Sequence, residues 1–390
     1  MRVRYLAVAC ALIFGYSLLI PGTQLYGQDN HQQESSQEHP EELSESHEAA
    51  HSEAALEEEF NATEYILEHI SDSHDWHILT KKDGSHVAVP LPVILFSKHS
   101  GLHAFSSKKL AHGHTHLGFA LGQGTIQVEN KDGELVDKSL KGKIIEVDEH
   151  GELVEAGLPL DFSITKNVFM MMLSVIILLL VFLSLARSYK KMGISEPKGL
   201  AGFIEPVIVF IEEDVAIPNI GEDKYARFMP YLLTVFFFIL LNNLMGLIPF
   251  FPFGANVTGN IAVTMVLAVI TFLITQFSSN KGHWQHVFNT PGVPVWLAPI
   301  MIPVELIGLI TKPFALMIRL FANITAGHII VLSLISMIFI FKSFFVAVPS
   351  LFMVLFMDFI ELLVAFLQAY IFTLLSALFI GMAMPEHHHD

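Results

Sequence analysis

Long apolar runs without a charged residue dominate the second half of this 390-residue chain. The clearest run is 168–186, where 19 consecutive residues carry no charge, enough for one α-helix to cross the apolar core of a bilayer. A segment in lipid must satisfy its own backbone hydrogen bonds, so such runs fold there only as helices or closed barrels. The runs therefore predict membrane helices for this half of the chain.

Charged residues are distributed unevenly between the two halves. Residues 28–165 contain 26 acidic and 9 basic side chains, whereas residues 166–390 contain 12 and 11. Only 15% of the chain is charged, against about 25% in soluble proteins, which argues against an ordinary soluble enzyme. The net charge of −16 excludes a nucleic-acid binder, which needs clustered Lys and Arg. We expect an acidic, water-exposed front joined to a membrane-embedded rear.

The N-terminal residues are typical of an exported protein. Residues 1–27 have the pattern of a signal peptide, with two arginines before an apolar stretch, and an uncleaved anchor helix is the alternative. Either one places the following residues outside the cytoplasm. Residues 28–59 contain 11 acidic residues, four histidines and no Lys or Arg, which predicts a disordered tail. The single cysteine, Cys10, excludes disulfides and cysteine-based metal sites.

Residues 60–165 are predicted to form a small, partly β external domain. Residues 61–71 have a helical pattern, and 124–128 and 144–147 alternate apolar and polar residues as strands do. Turns are expected at Asp132-Gly133 and His150-Gly151. Alternation would also place three histidines on one strand face, where a metal could bind, although solvated histidines are commoner: His112, His114 and His116. No metal or cofactor is expected.

Residues 166–384 are predicted to form an all-α polytopic membrane domain of about five helices, followed by a short tail at 385–390. After the span at 168–186, we expect a surface helix at 199–217 and further spans at 228–249 and 257–279. Four basic residues follow the first span and place that end in the cytoplasm: Arg187, Lys190, Lys191 and Lys198.

The last two apolar stretches are unusually long. The first runs from about 298 to 341, with Pro303 and Pro313 as possible kinks, and the second continues to about 384 after a pause at 342–349. As a helix the second stretch would be about 52 Å long, against about 30 Å for a bilayer core. Both helices are therefore expected to tilt steeply.

Three ionisable residues in the first long stretch lie seven residues apart, which places them on one stripe of a helix: Glu305, Lys312 and Arg319. Such residues are costly within a span and usually mark function. Arg319 lies deepest and has no acidic residue within one turn, which favours a functional role over a headgroup contact or a static ion pair. For Glu305 and Lys312 both interpretations stay open. Asn323 and several alanines continue the stripe and would allow another helix to approach closely.

The second long stretch carries Asp358, Glu361 and Gln368. In an antiparallel hairpin, Arg319 lies at the depth of Gln368, and His328 lies at the depth of Glu361. A histidine beside a carboxylate can relay protons, and a glutamine can hold a guanidinium without neutralising its charge.

These residues carry a resemblance to a known family. The motifs Arg319-Leu320-Phe321-Ala322-Asn323 and Ala326-Gly327-His328, with the later Glu361 and Gln368-Ala369-Tyr370, resemble the a subunit of bacterial F-type ATP synthases. The similarity also includes Glu305, Lys312-Pro313 and residues 242–249, and it spans roughly 165–384. Ala322 stands where the family usually has glycine, and Gly246 where some members carry a carboxylate. Some members exchange the residue types at 328 and 361, which fits a pair acting together.

The resemblance implies the stator subunit of a rotary, proton-translocating ATP synthase. Arg319 would couple proton flow to rotation of a ring of c subunits, between two half-channels. The implied proton pathway consists of His328, Glu361, Gln368, Asn323, Asn242, Asn243 and Glu305. The resemblance implies no bond chemistry on this chain.

The implied partners are the c-ring, the peripheral stalk of b subunits, the rest of the complex and the lipid bilayer. The implied location is the bacterial inner membrane, with the N-terminal domain in the periplasm and the C-terminus in the cytoplasm.

A stand-alone ion channel or secondary transporter with an acidic external domain is the alternative. It predicts two repeated halves with discontinuous helices, and the sequence has no internal repeat. A signalling receptor would need a cytoplasmic output domain, which the sequence lacks.

Overall fold

The computed structural model is mostly helical, with a small strand-containing region before the membrane helices. The predicted signal peptide, acidic tail, turns at 132–133 and 150–151 and C-terminal tail lie outside the residues it describes. Those residues are 62–80, 86–122, 125–129, 135–140, 142–148, 158–192, 199–248, 251–288 and 295–384.

The external region begins with helix α1 (Ala62–Ile70), followed by short antiparallel strands. Strand β1 pairs with β2, β3 lies between β4 and β9, β5 pairs with β8, and β6 pairs with β7. Residues alternate between the two faces of β3, so Val93 and Leu95 pack with Leu110, Phe119 and Ile144 in a small core. The strand bounds are β1 (Asp75–Thr80), β2 (His86–Pro90), β3 (Pro92–Ser97), β4 (Gly101–Ser106), β5 (Phe119–Leu121), β6 (Thr125–Glu129), β7 (Leu135–Ser139), β8 (Ile144–Glu146) and β9 (Leu160–Asp161).

The alternating histidines do not lie on a strand, so that prediction is wrong. The backbone from Ser107 to Gly113 is a 3-10 helix, which includes His112, and His114 follows it as the capping residue. His116 lies in a short bridge with Phe119, and its ring contacts Lys109 at 3.1 Å. A 3-10 helix has three residues per turn, whereas the side chains of a strand repeat every two residues, so the three histidines share no strand face.

Five described helices are long and apolar enough to cross a membrane, as the sequence predicted. They are α2 (Lys166–Met192), α5 (Tyr225–Gly246), α6 (Ile261–Ser278), α8 (Ala298–Phe341) and α9 (Phe344–Met382). Between α2 and α5 lie α3 (Leu200–Phe210), a π-helical segment (Ile211–Ala216) and α4 (Ile217–Ile220). Helix α7 (Lys281–Phe288) and a 3-10 turn (Val295–Leu297) connect α6 to α8.

The two last helices have 44 and 39 residues, which corresponds to about 66 Å and 58 Å. Pro303, Pro313 and Pro349 all lie within continuous helix. The expected pause at 342–349 is wrong: only Lys342 and Ser343 separate the helices. Lys342 takes the left-handed conformation that ends many helices. Pro349 lies in the second turn of α9, where its ring nitrogen cannot donate a hydrogen bond to the Phe345 carbonyl oxygen.

Helix α5 lies at the centre of the membrane domain. It packs against α2 and α9, while α9 also packs along α8. The fully buried side chains Leu232, Phe236 and Ile239 of α5 belong to one core that includes Phe372 of α9. In contrast, the outer faces of α8 and α9 expose many large apolar residues, such as Ile307, Phe314, Phe352 and Phe359. Surfaces of this kind need lipid or a protein partner.

Candidate functional site

A small pocket with four polar side chains in its wall lies where α5, α8 and α9 meet. It has room for about one water molecule and is lined by Asn243, Leu247, Asn323, Ile324, His328, Glu361, Val364 and Ala365. Asn243 comes from α5, Asn323 and His328 from α8, and Glu361 from α9. The structure thus brings together four of the seven residues that the sequence analysis assigned to the pathway.

His328 and Glu361 form the centre of this pocket. Their Nδ1 and Oε2 atoms are 3.8 Å apart, which is within ion-pair reach but too long for a direct hydrogen bond. Both side chains are largely buried. His328 Nδ1 and Glu361 Oε1 make no hydrogen bond to other described residues. Two titratable groups this close, each with an open hydrogen-bonding position, can pass a proton through one water molecule.

Two glycines create the space for this pair. A Cβ atom at Gly327 would lie 2.5 Å from Glu361 Oε1, so a side chain at this position would displace the carboxylate. A Cβ atom at Gly246 would lie 3.3 Å from the Ala255 carbonyl oxygen and 4.0 Å from His328 Nε2. The backbone of α5 therefore approaches the histidine ring closely, at the position where some family members carry a carboxylate.

Asn243 connects three parts of the structure at this level. Its Nδ2 atom donates to the Ala365 carbonyl oxygen of α9 at 3.2 Å, and its Oδ1 atom accepts from Thr258 Oγ1 at 2.6 Å. Asn242 points elsewhere and donates to Ser174 Oγ of α2 at 3.1 Å. Successive residues of a helix are rotated by about 100°, so the neighbouring asparagines face different helices.

Arg319 lies on the exposed face of α8, two to three turns from His328 and about 13 Å along the axis. Within the described part of the chain, its guanidinium has no ion pair or hydrogen bond. Gln368 is buried in α9 and makes no hydrogen bond to Arg319. Glu305 lies near the start of α8, about 35 Å along the axis from His328. Lys312 Nζ lies 5.9 Å from the Phe379 ring centroid.

Three residues near the pocket were not predicted as site residues. Asp358 and Lys166 interact electrostatically with His328, and Asp358 also acts on Glu361. Thr258 supports Asn243 from the loop after α5. Asp358 lies three residues before Glu361, so helical spacing signalled its proximity. No local pattern marked Thr258 or Lys166, because Thr258 acts through a hydrogen bond between separate elements and Lys166 acts on His328 only electrostatically, from the start of α2.

Comparisons with known proteins match the two regions of the chain separately. A family model described as "ATP synthase A chain" matches residues 168–381. A second, described as "Domain of unknown function (DUF8433)", matches residues 65–162.

Individual relatives extend the first match. The chain is 51% identical over 235 residues to ATP synthase subunit a of Chloroherpeton thalassium, covering 59% of this chain and 69% of the relative. It is 48% identical over 289 residues to ATP synthase subunit a 2 of Chlorobaculum tepidum, covering 70% and 80%. It is 43% identical over 303 residues to ATP synthase subunit a of Chlorobium phaeobacteroides (strain DSM 266), covering 75% and 86%.

Proposed function

Because the chain belongs to the ATP synthase A chain family, we propose that it couples proton flow to ring rotation through Arg319 and two half-channels. In this family context the chain is a multi-pass membrane protein, the stator a subunit of an F-type ATP synthase. The observation that carries the proposal is the exposed Arg319, which has no ion pair or hydrogen bond to other described residues and lies on α8 two to three turns from the pocket that holds a buried histidine–glutamate pair.

Arg319 provides a permanent positive charge, because a guanidinium stays protonated at any physiological pH. A ring carboxylate that arrives beside it is favoured in its ionised form, so its proton leaves. The same charge repels free protons and blocks direct leakage between the half-channels. Leakage matters because each proton that crosses 100 mV releases about 2.3 kcal/mol.

The pocket of His328, Glu361, Asn243 and Asn323 is the proposed end of the outer half-channel. Burial keeps bulk water away from the pair, while its open hydrogen-bonding positions allow proton exchange. Asn242, Gln368 and Glu305 complete the proposed pathway. Asn242 joins α5 to α2, Gln368 lies on α9 at the depth of Arg319, and Glu305 lies at the inner end of α8.

The exposed apolar faces of α8 and α9 support contact with the c-ring on one side and lipid on the other. Small residues next to Arg319, including Ala322 and Ala326, would let ring helices approach its guanidinium. The basic residues in the last turns of α2 and just after it support a periplasmic N-terminal region and a cytoplasmic C-terminus. The peripheral stalk of b subunits is a further proposed partner.

Replacing Arg319 with alanine is the most direct test. We expect Arg319→Ala to abolish ATP-driven proton pumping, measured by quenching of a pH-sensitive dye in inverted membrane vesicles. The matched control is Arg227→Ala, which removes an exposed arginine near the start of α5 and should leave pumping intact. Retained pumping in the Arg319 variant would refute the proposal.

Affinity purification from membranes separates the proposal from a stand-alone channel or transporter. A c-ring and an ATP-hydrolysing head should copurify with this chain. Purification of the chain alone, with ion transport retained, would support the alternative.

A further inference from the structure

The external region inserts one aromatic residue into the core of the membrane domain. Trp76 of β1 is only 6% exposed. Its ring lies 5.8 Å from that of Phe169 in α2 and 5.5 Å from that of Phe251 in the loop after α5, both in edge-on geometry. Such aromatic pairs contribute beyond the burial of their area and hold a defined orientation.

The chain around Trp76 is fixed to the start of α2. Asp72 accepts hydrogen bonds from Thr165 Oγ1 at 2.8 Å and from the Asn167 backbone N–H at 3.1 Å. The Lys166 N–H donates to the Ser73 carbonyl oxygen at 3.0 Å. His74 bonds to Asp161 at 2.6 Å, across 87 residues of sequence. These bonds leave Trp76 little freedom to move relative to the first membrane helix.

The loop at 251–260, which carries Phe251, contacts one residue that lines the pocket and two residues next to the lining. Thr258 donates to Asn243 at 2.6 Å, and the Ala255 carbonyl oxygen packs on Gly246 beside His328. The Gly259 carbonyl oxygen accepts from Thr325 of α8 at 3.5 Å. A continuous series of contacts therefore leads from Trp76 through the loop to the pocket.

We infer that Trp76 is a positioning residue for the outer proton site. Through Phe251 it fixes the loop at 251–260, and the loop fixes Asn243 and the backbone beside His328. The inference rests on the proposed function and extends it. The external region, which contributes no residue to the proposed pathway, sets the external proton concentration at which the His328–Glu361 pair is loaded.

Trp76 can be replaced without altering the charges that act on the pair. Among the described residues, the charged groups that act on His328 are Glu361 and Asp358 from α9 and Lys166 from the start of α2. Trp76 is uncharged, and none of these groups depends on its ring for a hydrogen bond. A changed pH dependence in a Trp76 variant would therefore report altered geometry or water access at the pair.

The test uses purified ATP synthase in liposomes, with the periplasmic side facing the lumen. ATP synthesis is driven by a fixed potassium diffusion potential, at fixed outer pH, and its rate is measured against lumenal pH. For Trp76→Ala we expect the half-maximal rate to shift by about 0.5 pH unit or more toward acid, a threefold weaker proton affinity. The maximal rate at acidic lumenal pH should stay within about twofold of wild type.

Three further variants complete the design. Trp76→Phe should retain the wild-type profile because it keeps the ring contacts. Phe251→Leu should reproduce the shift from the membrane side of the same contact. Trp284→Ala, an exposed tryptophan in α7, is the matched control and should leave the profile unchanged.

A double-mutant cycle tests the route through the loop. Trp76→Ala combined with Thr258→Val should shift the profile little more than either single change, because both act through Asn243. Additive shifts would overturn the route. An equal fractional loss at every lumenal pH would indicate a merely structural role and would also overturn the inference.

Two outcomes separate this inference from the function on which it rests. If Trp76→Ala does not assemble, Phe251→Leu decides, since Phe251 is 43% exposed and lies outside the external region. A wild-type profile in that variant would overturn the inference. If Arg319→Ala is inactive while the Trp76 and Phe251 variants keep the wild-type profile, only this inference fails; pumping by Arg319→Ala would remove the proposed function itself.

Discussion

At the scale of single residues, the spacing between His328 and Glu361 determines what the pair can do. At 3.8 Å the two groups interact strongly but do not form the short bond of a static ion pair. Gly327 allows this geometry, because the Glu361 carboxylate occupies the space that a side chain at residue 327 would fill. The pair can therefore act as one proton-accepting unit.

The unit predicts non-additive losses. We expect His328→Ala and Glu361→Ala each to lower the rate of ATP-driven proton pumping by about tenfold or more. The double variant should cost little more than either single change, because each change already disables the shared step. Ser333→Ala, on an exposed turn of the same helix, is the control and should pump normally. Multiplying losses in the double variant would contradict a shared step.

At the scale of elements, the close approach of α9 to α4 depends on Gly381. A Cβ atom at Gly381, near the end of α9, would overlap the carbonyl oxygen of Asn219 in α4. Helices pack this closely only where one of them lacks a side chain. Through this contact the short helix α4 holds the C-terminal end of α9. Glu361 and Gln368 lie earlier in the same helix.

Gly381→Ala should therefore separate α4 from α9 and destabilise the subunit by about 1–3 kcal/mol, as overpacking does in other cores. Gly308→Ala is a matched control, because a Cβ atom there meets nothing within 4 Å. In that helix interior alanine should be neutral or stabilise by up to about 1 kcal/mol. The measurement is the thermal midpoint of the purified complex. Equal midpoints for the two variants would contradict the packing argument.

At the scale of the whole molecule, a partly buried ion pair, His74–Asp161, holds together two segments of the external region at its junction with the first membrane helix. Burial alone would lower the pKa of His74, but its hydrogen bond to Asp161 and the charges of Asp161, Asp72 and Asp75 raise it above 6.5. Burial alone would raise the pKa of Asp161, but hydrogen bonds with His74 and Ser163 and the charge of His74 lower it below 3.8. Both groups are thus held in their charged forms.

The sign of the pH dependence follows from these two directions. The contribution of His74 is complete below its unfolded pKa of 6.5 and is lost as the pH rises through the higher folded value. The contribution of Asp161 is present above 3.8 and is lost as the pH falls through its lower folded value. The pair therefore stabilises the junction most between these two pH values, and the junction weakens at alkaline pH.

We expect the external region of the purified complex to become sensitive to protease at a lower temperature when the pH is about 8.5 than when it is about 6. The expected difference is a few degrees. In His74→Gln this pH dependence should be reduced, because glutamine cannot carry the charge. The control is His103→Gln, which removes a half-buried histidine of β4 that contacts the Ser100 carbonyl oxygen. An unchanged slope in His74→Gln would show that the pair does not link the junction to pH.

The sequence by itself determined the class of the protein, the helices of its membrane domain and the family to which it belongs. These are properties of local composition, because the length of an apolar run sets whether it can cross a bilayer, and isolated charges in such runs mark function. Antiparallel pairing of the last two helices even places His328 at the depth of Glu361. The extent of the turn, Lys342–Ser343, was not evident, since proline is uncommon inside a helix and Pro349 therefore indicated that the pause extends to it.

Only the tertiary structure decided which polar residues share the pocket. Asn243 enters it while Asn242 turns to α2, and Gly327 and Gly246 provide its space, because the rotation of each helix is set by all of its neighbours at once. The contact of Trp76 with the membrane core has the same origin. It joins residues far apart in sequence, and burial of an aromatic ring depends on what folds around it rather than on the residues beside it in the chain.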